Sequence, residues 1–211
     1  LSAGPVAAGD GSGDLDVALL MRTCRDDGRL LKPDRPAFII DSWWTQQAFG
    51  HGGVAGEVTQ TYSALRVGGA LALWRFVLVV AMEDSYSLAF NEIAQLTDLE
   101  HAVAVPDSEE TLRDIVAAPH FGDVVWAERS SDAMPPTLRA GDLRTFDAEH
   151  PVALSKAGSD GWGAYTLLRT APWLCDGARV ALLGELEKYV SLSAQRVASL
   201  AVIFYSSAAE K

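Results

Sequence analysis

Short apolar segments separated by turn-forming residues recur along the chain. Residues 57–65 are rich in Thr, Val and Tyr, and residues 71–82 are almost continuously apolar, which is typical of a strand covered on both faces. Further strand-like segments lie at residues 86–90, 124–128, 165–170, 179–185 and 196–205. Turn-forming pairs such as Asp176 and Gly177 separate these segments. The pattern predicts an all-β protein, an antiparallel β-sandwich with one or two short inserted helices.

Two segments have helical character. Residues 107–117 begin with a capping Asp three positions before a Glu and continue with an apolar stripe, and Pro119 follows as a residue that ends helices. We predict a helix there and a second short helix over residues 91–100. Both lie in an irregular insertion around residues 91–145.

The length of 211 residues fits one domain. The first 14 residues are LSAGPVAAGDGSGD, which lack the charged start and apolar centre of a signal peptide. We expect a flexible tail over residues 1–20, left after a targeting segment is removed, and a single soluble domain over residues 21–211. The compartment stays open, with an organellar or a secreted location as the alternatives.

The charge balance excludes two classes of partner. Lys and Arg number 17 and Asp and Glu number 28, so the net charge is −11. Nucleic acids and anionic membrane surfaces attract positive charge, and we expect neither as a partner. The most apolar run, residues 68–82, contains Arg75 and is shorter than the roughly 20 apolar residues of a spanning helix. We therefore expect a buried strand there and no membrane span.

No motif predicts a metal ion or a cofactor. The four histidines are His51, His101, His120 and His150. They form no metal-binding motif, and Cys24 and Cys175 have no partner at metal-ligand spacing. Residues 50–55 match a dinucleotide fingerprint in form, but a strand-like segment follows where that motif requires a helix. The two cysteines are either buried thiols or one disulfide.

Carboxylate pairs and tryptophans are the remaining candidates for chemistry. Asp and Glu occur as adjacent or alternating pairs at residues 26 and 27, 109 and 110, and 185 and 187, which is typical of solvated turns and strand faces. We therefore predict no catalytic residue. Trp43, Trp44 and Trp162 lie near turns and are candidates for stacking on sugar rings, with structural packing as the alternative.

Three stretches resemble a known family of enzymes. Residues 21–41 read MRTCRDDGRLLKPDRPAFIID, residues 146–154 read FDAEHPVAL, and residues 165–196 contain YTLLRTAPWL and VALLGELEKYVSLSAQR. These stretches are similar to the C-terminal β domain of the raffinose synthase and seed imbibition proteins, which are relatives of α-galactosidases. The resemblance implies an antiparallel β-sandwich that is appended to a catalytic barrel.

The resemblance carries over no catalytic residue, because that family holds its catalytic aspartates on the barrel and only about 20 residues precede the matched region, where a barrel needs roughly 200. We therefore expect a non-catalytic accessory or structural subunit that docks on a larger complex or a barrel-bearing polypeptide. The alternative is a carbohydrate-binding module or a fragment of such an enzyme. Clustering of Trp43, Trp44 and Trp162 on one exposed face would favour carbohydrate binding.

Overall fold

The computed structural model describes residues 13, 15–49, 56–67, 70–95, 122–129, 138–157, 165–174, 180–198 and 200–203. The helices in this part of the chain are α1 (Val17–Met21) and α2 (Asp41–Phe49), with 3₁₀ turns at Phe90–Glu92 and Ala140–Asp142. The strands are β1 (Phe38–Ile39), β2 (Glu57–Val67), β3 (Ala70–Val80), β4 (Tyr86–Leu88), β5 (Asp123–Arg129), β6 (Arg144–Phe146), β7 (Val152–Leu154) and β8 (Tyr165–Pro172).

The strands form one large and one small antiparallel sheet. The large sheet has six strands in the order β1-β2-β3-β8-β5-β6, and the small sheet pairs β4 with β7. β2 and β3 form a long hairpin in which Glu57 pairs with Val80 and Val67 pairs with Ala70. The prediction of an all-β, antiparallel sandwich-like fold is confirmed.

The small sheet and α2 cover one face of the large sheet, which we call the sandwich face. Val58, Val77 and Val79 of the large sheet pack there against Trp43 of α2 and Leu88 of β4. Successive strand residues point to opposite faces, so the alternate residues of these strands must be covered on the other side.

Two segments without regular helix or strand cover that other side, which we call the loop-covered face. Trp74, Phe76 and Trp126 of the large sheet pack there against Leu31 and Val190. The indole Nε1 of Trp74 donates a hydrogen bond to the Leu182 carbonyl at 2.7 Å, which fixes the segment that contains Leu182 and Val190 to the sheet. The N-terminal cover is residues 22–33, and the C-terminal cover is residues 180–198 together with Leu200.

These two covers confirm the expectation that residues 71–82 form a strand covered on both faces. β3 lies between β2 and β8 and is buried on both faces, as the apolar run over residues 71–82 predicts. In the described residues, the chain itself packs apolar side chains against both faces of β3.

Two predicted strands are wrong where the structure describes them. Residues 180–185 and 196–198 contain no strand, and Leu200 forms only an isolated bridge with Val67. Their apolar side chains pack on the sheet from loops, which gives these segments the composition of strands. Of the predicted helices, residues 107–117 lie outside the described residues, and the described part of residues 91–100 contains only the end of the Phe90–Glu92 turn. α1 spans the predicted boundary between tail and domain.

Gly184 allows the C-terminal cover to fold back on itself. Its φ is +80°, and a Cβ at this position would lie 2.7 Å from the Ser191 carbonyl carbon. The Glu185 amide donates to the Ser191 carbonyl at 2.8 Å, which closes the loop over residues 185–191. Only glycine combines this backbone conformation with so close an approach of another backbone segment.

Replacement of Gly184 by Ala tests this loop, and Gly28 provides a matched control. Gly28 has the same φ of +80° but nothing lies within 4 Å of its added Cβ. We expect Gly28→Ala to lower the free energy of unfolding by about 1–2 kcal/mol through backbone strain alone. Gly184→Ala should lower it by several kcal/mol more in urea unfolding. Equal losses for the two variants would contradict the close packing of Gly184.

Replacement of Val79 by Asp tests the double covering of β3. Val79 is 2% exposed on the sandwich face, so an unpaired carboxylate there should lower the free energy of unfolding by more than about 4 kcal/mol. The control is Val180→Asp, because Val180 is 43% exposed and a charge there remains in water. Thermal melting checks both variants, and a Val79→Asp protein that melts like the wild type would contradict the assignment.

Candidate functional site

A buried ion pair on the sandwich face joins β5 to the centre of the sheet. Asp123 Oδ2 accepts a hydrogen bond from Arg75 Nη1 at 2.8 Å and another from the Thr170 hydroxyl. Arg75 Nε also donates to the Ala94 carbonyl at 2.5 Å. The side chains of Arg75 and Asp123 are almost completely buried. This pair therefore lets an arginine occupy the otherwise apolar central strand.

A second buried cluster lies on the loop-covered face. Glu128 Oε2 accepts hydrogen bonds from Arg22 Nη2 and from Arg169 Nη2, each at 2.6 Å. Arg22 Nε donates to the Glu187 carbonyl at 2.8 Å, and its guanidinium lies 4.1 Å from the centre of the Tyr189 ring. One carboxylate of β5 thus ties both covering segments to the large sheet.

The pKa values in this second cluster follow from burial and from the arginines. Burial alone would raise the pKa of Glu128, but the hydrogen bonds and positive charges of Arg22 and Arg169 outweigh it and lower that pKa. Burial lowers the pKa of Arg169, and the negative charge of Glu128 only partly offsets this effect. Glu128 is therefore ionised at neutral pH and holds its two cations in place.

The two buried carboxylates do not form a glycosidase pair. Asp123 and Glu128 are five positions apart on β5, so they point to opposite faces of the sheet. Glycosidases need two carboxyl groups that flank the same bond. In the residues that the structure describes, no group of three or more His, Cys, Asp or Glu side chains is arranged to hold a metal ion.

Replacement of Glu128 by Gln measures how strongly this cluster fixes the covers. The variant leaves Arg22 and Arg169 buried without their counter-charge, so we expect a loss of about 3–5 kcal/mol in the free energy of unfolding. Glu187→Gln is the control, because Glu187 lies in the same region with its side chain exposed.

Because the pKa of Glu128 is below its ordinary value of 4.5 in the folded protein, its stabilisation is fully present above about pH 4.5 and is lost as the pH falls through the folded-state value. The difference between wild type and variant in urea unfolding should therefore shrink below pH 4.5, and a difference that persists unchanged in acid would contradict this role.

The three tryptophans proposed for sugar stacking do not share one exposed face. Trp43 is 1% exposed and packs edge-on against Tyr86, with ring centres 5.3 Å apart. Its burial removes it from the candidates. Trp44 is 59% exposed, and Trp162 lies outside the described residues. Of the two cysteines, Cys24 is a buried free thiol and Cys175 is outside the described residues.

Helix α2 presents an aromatic surface to solvent. Residues at i, i+3 and i+4 of a helix lie on the same side, which places Asp41, Trp44, Thr45, Ala48 and Phe49 together. All five are exposed, and Phe49 reaches 81%. We call these five residues the aromatic face of α2.

The opposite side of α2 is fixed to the sandwich. Trp43 lies in the core, and Gln47 Nε2 donates to the Gly56 carbonyl at 3.1 Å. The Tyr86 hydroxyl lies 2.9 Å from Ser42 Oγ and donates to Glu92 Oε1 at 2.5 Å. Burial and the Glu92 carboxylate raise the pKa of Tyr86 to about 12, so the phenol keeps its proton at neutral pH. The helix therefore holds its aromatic face in a defined position.

The edge of β2 beyond β1 is occupied by the chain itself. The Asp34 amide donates to the Tyr62 carbonyl at 2.9 Å, and Asp34 Oδ2 accepts from the Ala64 amide at 2.7 Å. The Leu200 amide donates to the Arg66 carbonyl at 2.9 Å. These contacts use the backbone groups that an added strand would need, so this edge is blocked against strand addition.

Sequence reasoning singled out Trp43 and Trp44 but missed α2 and both buried ion clusters. The adjacent tryptophans were the available signal, because neighbours 100° apart on a helix cannot both face the core. The ion clusters join residues far apart in sequence, and no local pattern predicts them.

Comparison of this chain with protein-family models, curated proteins and solved structures finds no match. None of the helices in the described segments is long and apolar enough to cross a bilayer.

Proposed function

We propose that this chain is a non-catalytic accessory or structural subunit that docks on a larger protein assembly through the aromatic face of α2. The observation that carries this proposal is the difference in exposure between two adjacent tryptophans: Trp43 is 1% exposed and Trp44 is 59% exposed. The first anchors the helix and the second is offered to solvent.

Anchoring makes the aromatic face a suitable binding surface. Tryptophan and tyrosine are enriched among the residues that contribute most binding energy at protein interfaces. A surface that is already ordered loses less conformational entropy when it binds. Trp44 and Phe49 project from a helix whose other side is held by Trp43, Ser42 and Gln47, so this face meets both conditions.

The resemblance to the raffinose synthase type of β domain supports the same class of function. Residues 21–41 and 165–196 carry that resemblance, and in the structure they meet at the loop-covered face, where the Tyr189 amide donates to the Arg22 carbonyl at 3.1 Å. A domain of this origin would have a barrel-bearing polypeptide as its partner, and the aromatic face of α2 would take the place of the covalent link.

Carbohydrate binding is the second candidate. The exposed indole of Trp44 favours it, because a sugar ring can stack on such a surface. Titration of galactosides into the purified chain tests it, and heat release that disappears in Trp44→Ala would support this candidate over protein docking.

Removal of the aromatic side chains tests the docking proposal. The tagged chain is expressed in its native source and its bound proteins are quantified by mass spectrometry. We expect Trp44→Ala/Phe49→Ala to reduce the retained partner at least about tenfold. The matched control is Gln46→Ala, which changes an exposed polar residue of the same helix outside the aromatic face. Partner retention that is unchanged in the aromatic variant would refute the proposal.

A further inference from the structure

Four exposed carboxylates lie on α2 or at the end of the large sheet that α2 contacts. Asp41 belongs to the face itself, one helical turn before Trp44. Glu57 begins β2, and Glu83 and Asp84 lie in the turn after β3. Among the described residues, none of these four carboxylates forms an ion pair.

Contacts of Gly56 place three of these carboxylates, Glu57, Glu83 and Asp84, at the end of the large sheet that the C-terminal half of α2 contacts. Gln47 of α2 donates to the Gly56 carbonyl at 3.1 Å. A Cβ on Gly56 would lie 2.8 Å from the Met82 Cα, so Gly56 touches the turn that carries Glu83 and Asp84. The Ala157 amide donates to the Met82 carbonyl at 2.8 Å, which brings one cation, Lys156, to the same region. Among the described residues that these contacts bring together, this one cation stands against three carboxylates.

We propose that the partner of the aromatic face of α2 is a basic protein surface, one that presents Lys or Arg beside apolar side chains. This inference rests on the proposed docking function and names the chemistry of its partner. Aromatic side chains supply the desolvated centre of such an interface, and the surrounding carboxylates supply complementary charge and steer the approach.

The same charges disfavour a second copy of this chain as the occupant. A symmetric dimer through this face would bring Asp41 and the neighbouring carboxylates towards their own copies. Like charges across an interface are repulsive, and the whole chain carries −11.

A pair of designed peptides tests the sign of the charge that the partner presents. One peptide is a helix with Leu on one side and Lys on the other, and the second carries Glu in place of Lys. Binding is followed by the fluorescence anisotropy of the labelled peptide. We expect the basic peptide to bind, the acidic one not to bind, and the affinity to fall at least about tenfold between low salt and about 0.3 M salt.

Charge reversal locates the interaction. Glu83→Lys/Asp84→Lys should weaken binding of the basic peptide at least about tenfold, and so should Trp44→Ala/Phe49→Ala. The control is Asp26→Lys/Glu187→Lys, which changes the net charge equally on the opposite side of the large sheet and should have a much smaller effect. Equal weakening by the control would show that only the net charge matters, and the inference would be wrong.

Further outcomes separate this inference from the docking proposal itself. A natural partner that is lost in Trp44→Ala/Phe49→Ala but retained in Glu83→Lys/Asp84→Lys and at high salt would refute the basic partner and keep the docking face. Trp44-dependent self-association in sedimentation would identify a second copy as the occupant and refute the inference. Trp44-dependent binding of a neutral oligosaccharide, without binding of the basic peptide, would also refute the inference.

Discussion

The central strand β3 is apolar on both of its alternations, and this constraint governs the rest of the structure. A sheet built around such a strand must exclude water from both faces. The chain meets the requirement in two ways: α2 and the small sheet cover the sandwich face, and two loop segments cover the other face. Loops lack the regular backbone hydrogen bonds that hold neighbouring strands of a sheet in place. The Glu128 carboxylate supplies this restraint, because Arg22 comes from one cover and Arg169 binds both Glu128 and the backbone of the other.

Covering of both sheet faces by the chain itself changes what the described residues offer for binding. The buried carboxylates Asp123 and Glu128 are each neutralised by arginine, and the outer edge of β2 is occupied by Asp34 and Leu200. In the described part of the chain, the aromatic face of α2 is an ordered, exposed surface that includes the Asp41 carboxylate. This distribution supports the proposed function, which is recognition by a preformed surface.

The sequence predicts the long strands well, because β2, β3, β5 and β8 combine strand-forming residues with flanking turn signals. It misplaces strands at the described residues 180–185 and 196–198, because loop residues that pack on a sheet are as apolar as strand residues. In the first of these segments the chain has a positive φ at Gly184, and the apolar pattern does not reveal this conformation. The Glu128 cluster is equally hidden, since Arg22 and Glu128 are 106 positions apart. The short α2 lacks a clear apolar period, so only the adjacent tryptophans pointed to it.

Hydroxyl-radical footprinting of the chain, free and in its native assembly, tests the central claim most directly. It measures the reactivity of each aromatic side chain with solvent. Trp44 and Phe49 should be oxidised in the free chain and protected in the assembly, whereas Trp43, Trp74 and Trp126 should stay unreactive in both states because the chain itself buries them. Oxidation of Trp74 and Trp126 in the free chain, with protection only in the assembly, would show that a partner supplies the cover and would contradict the account.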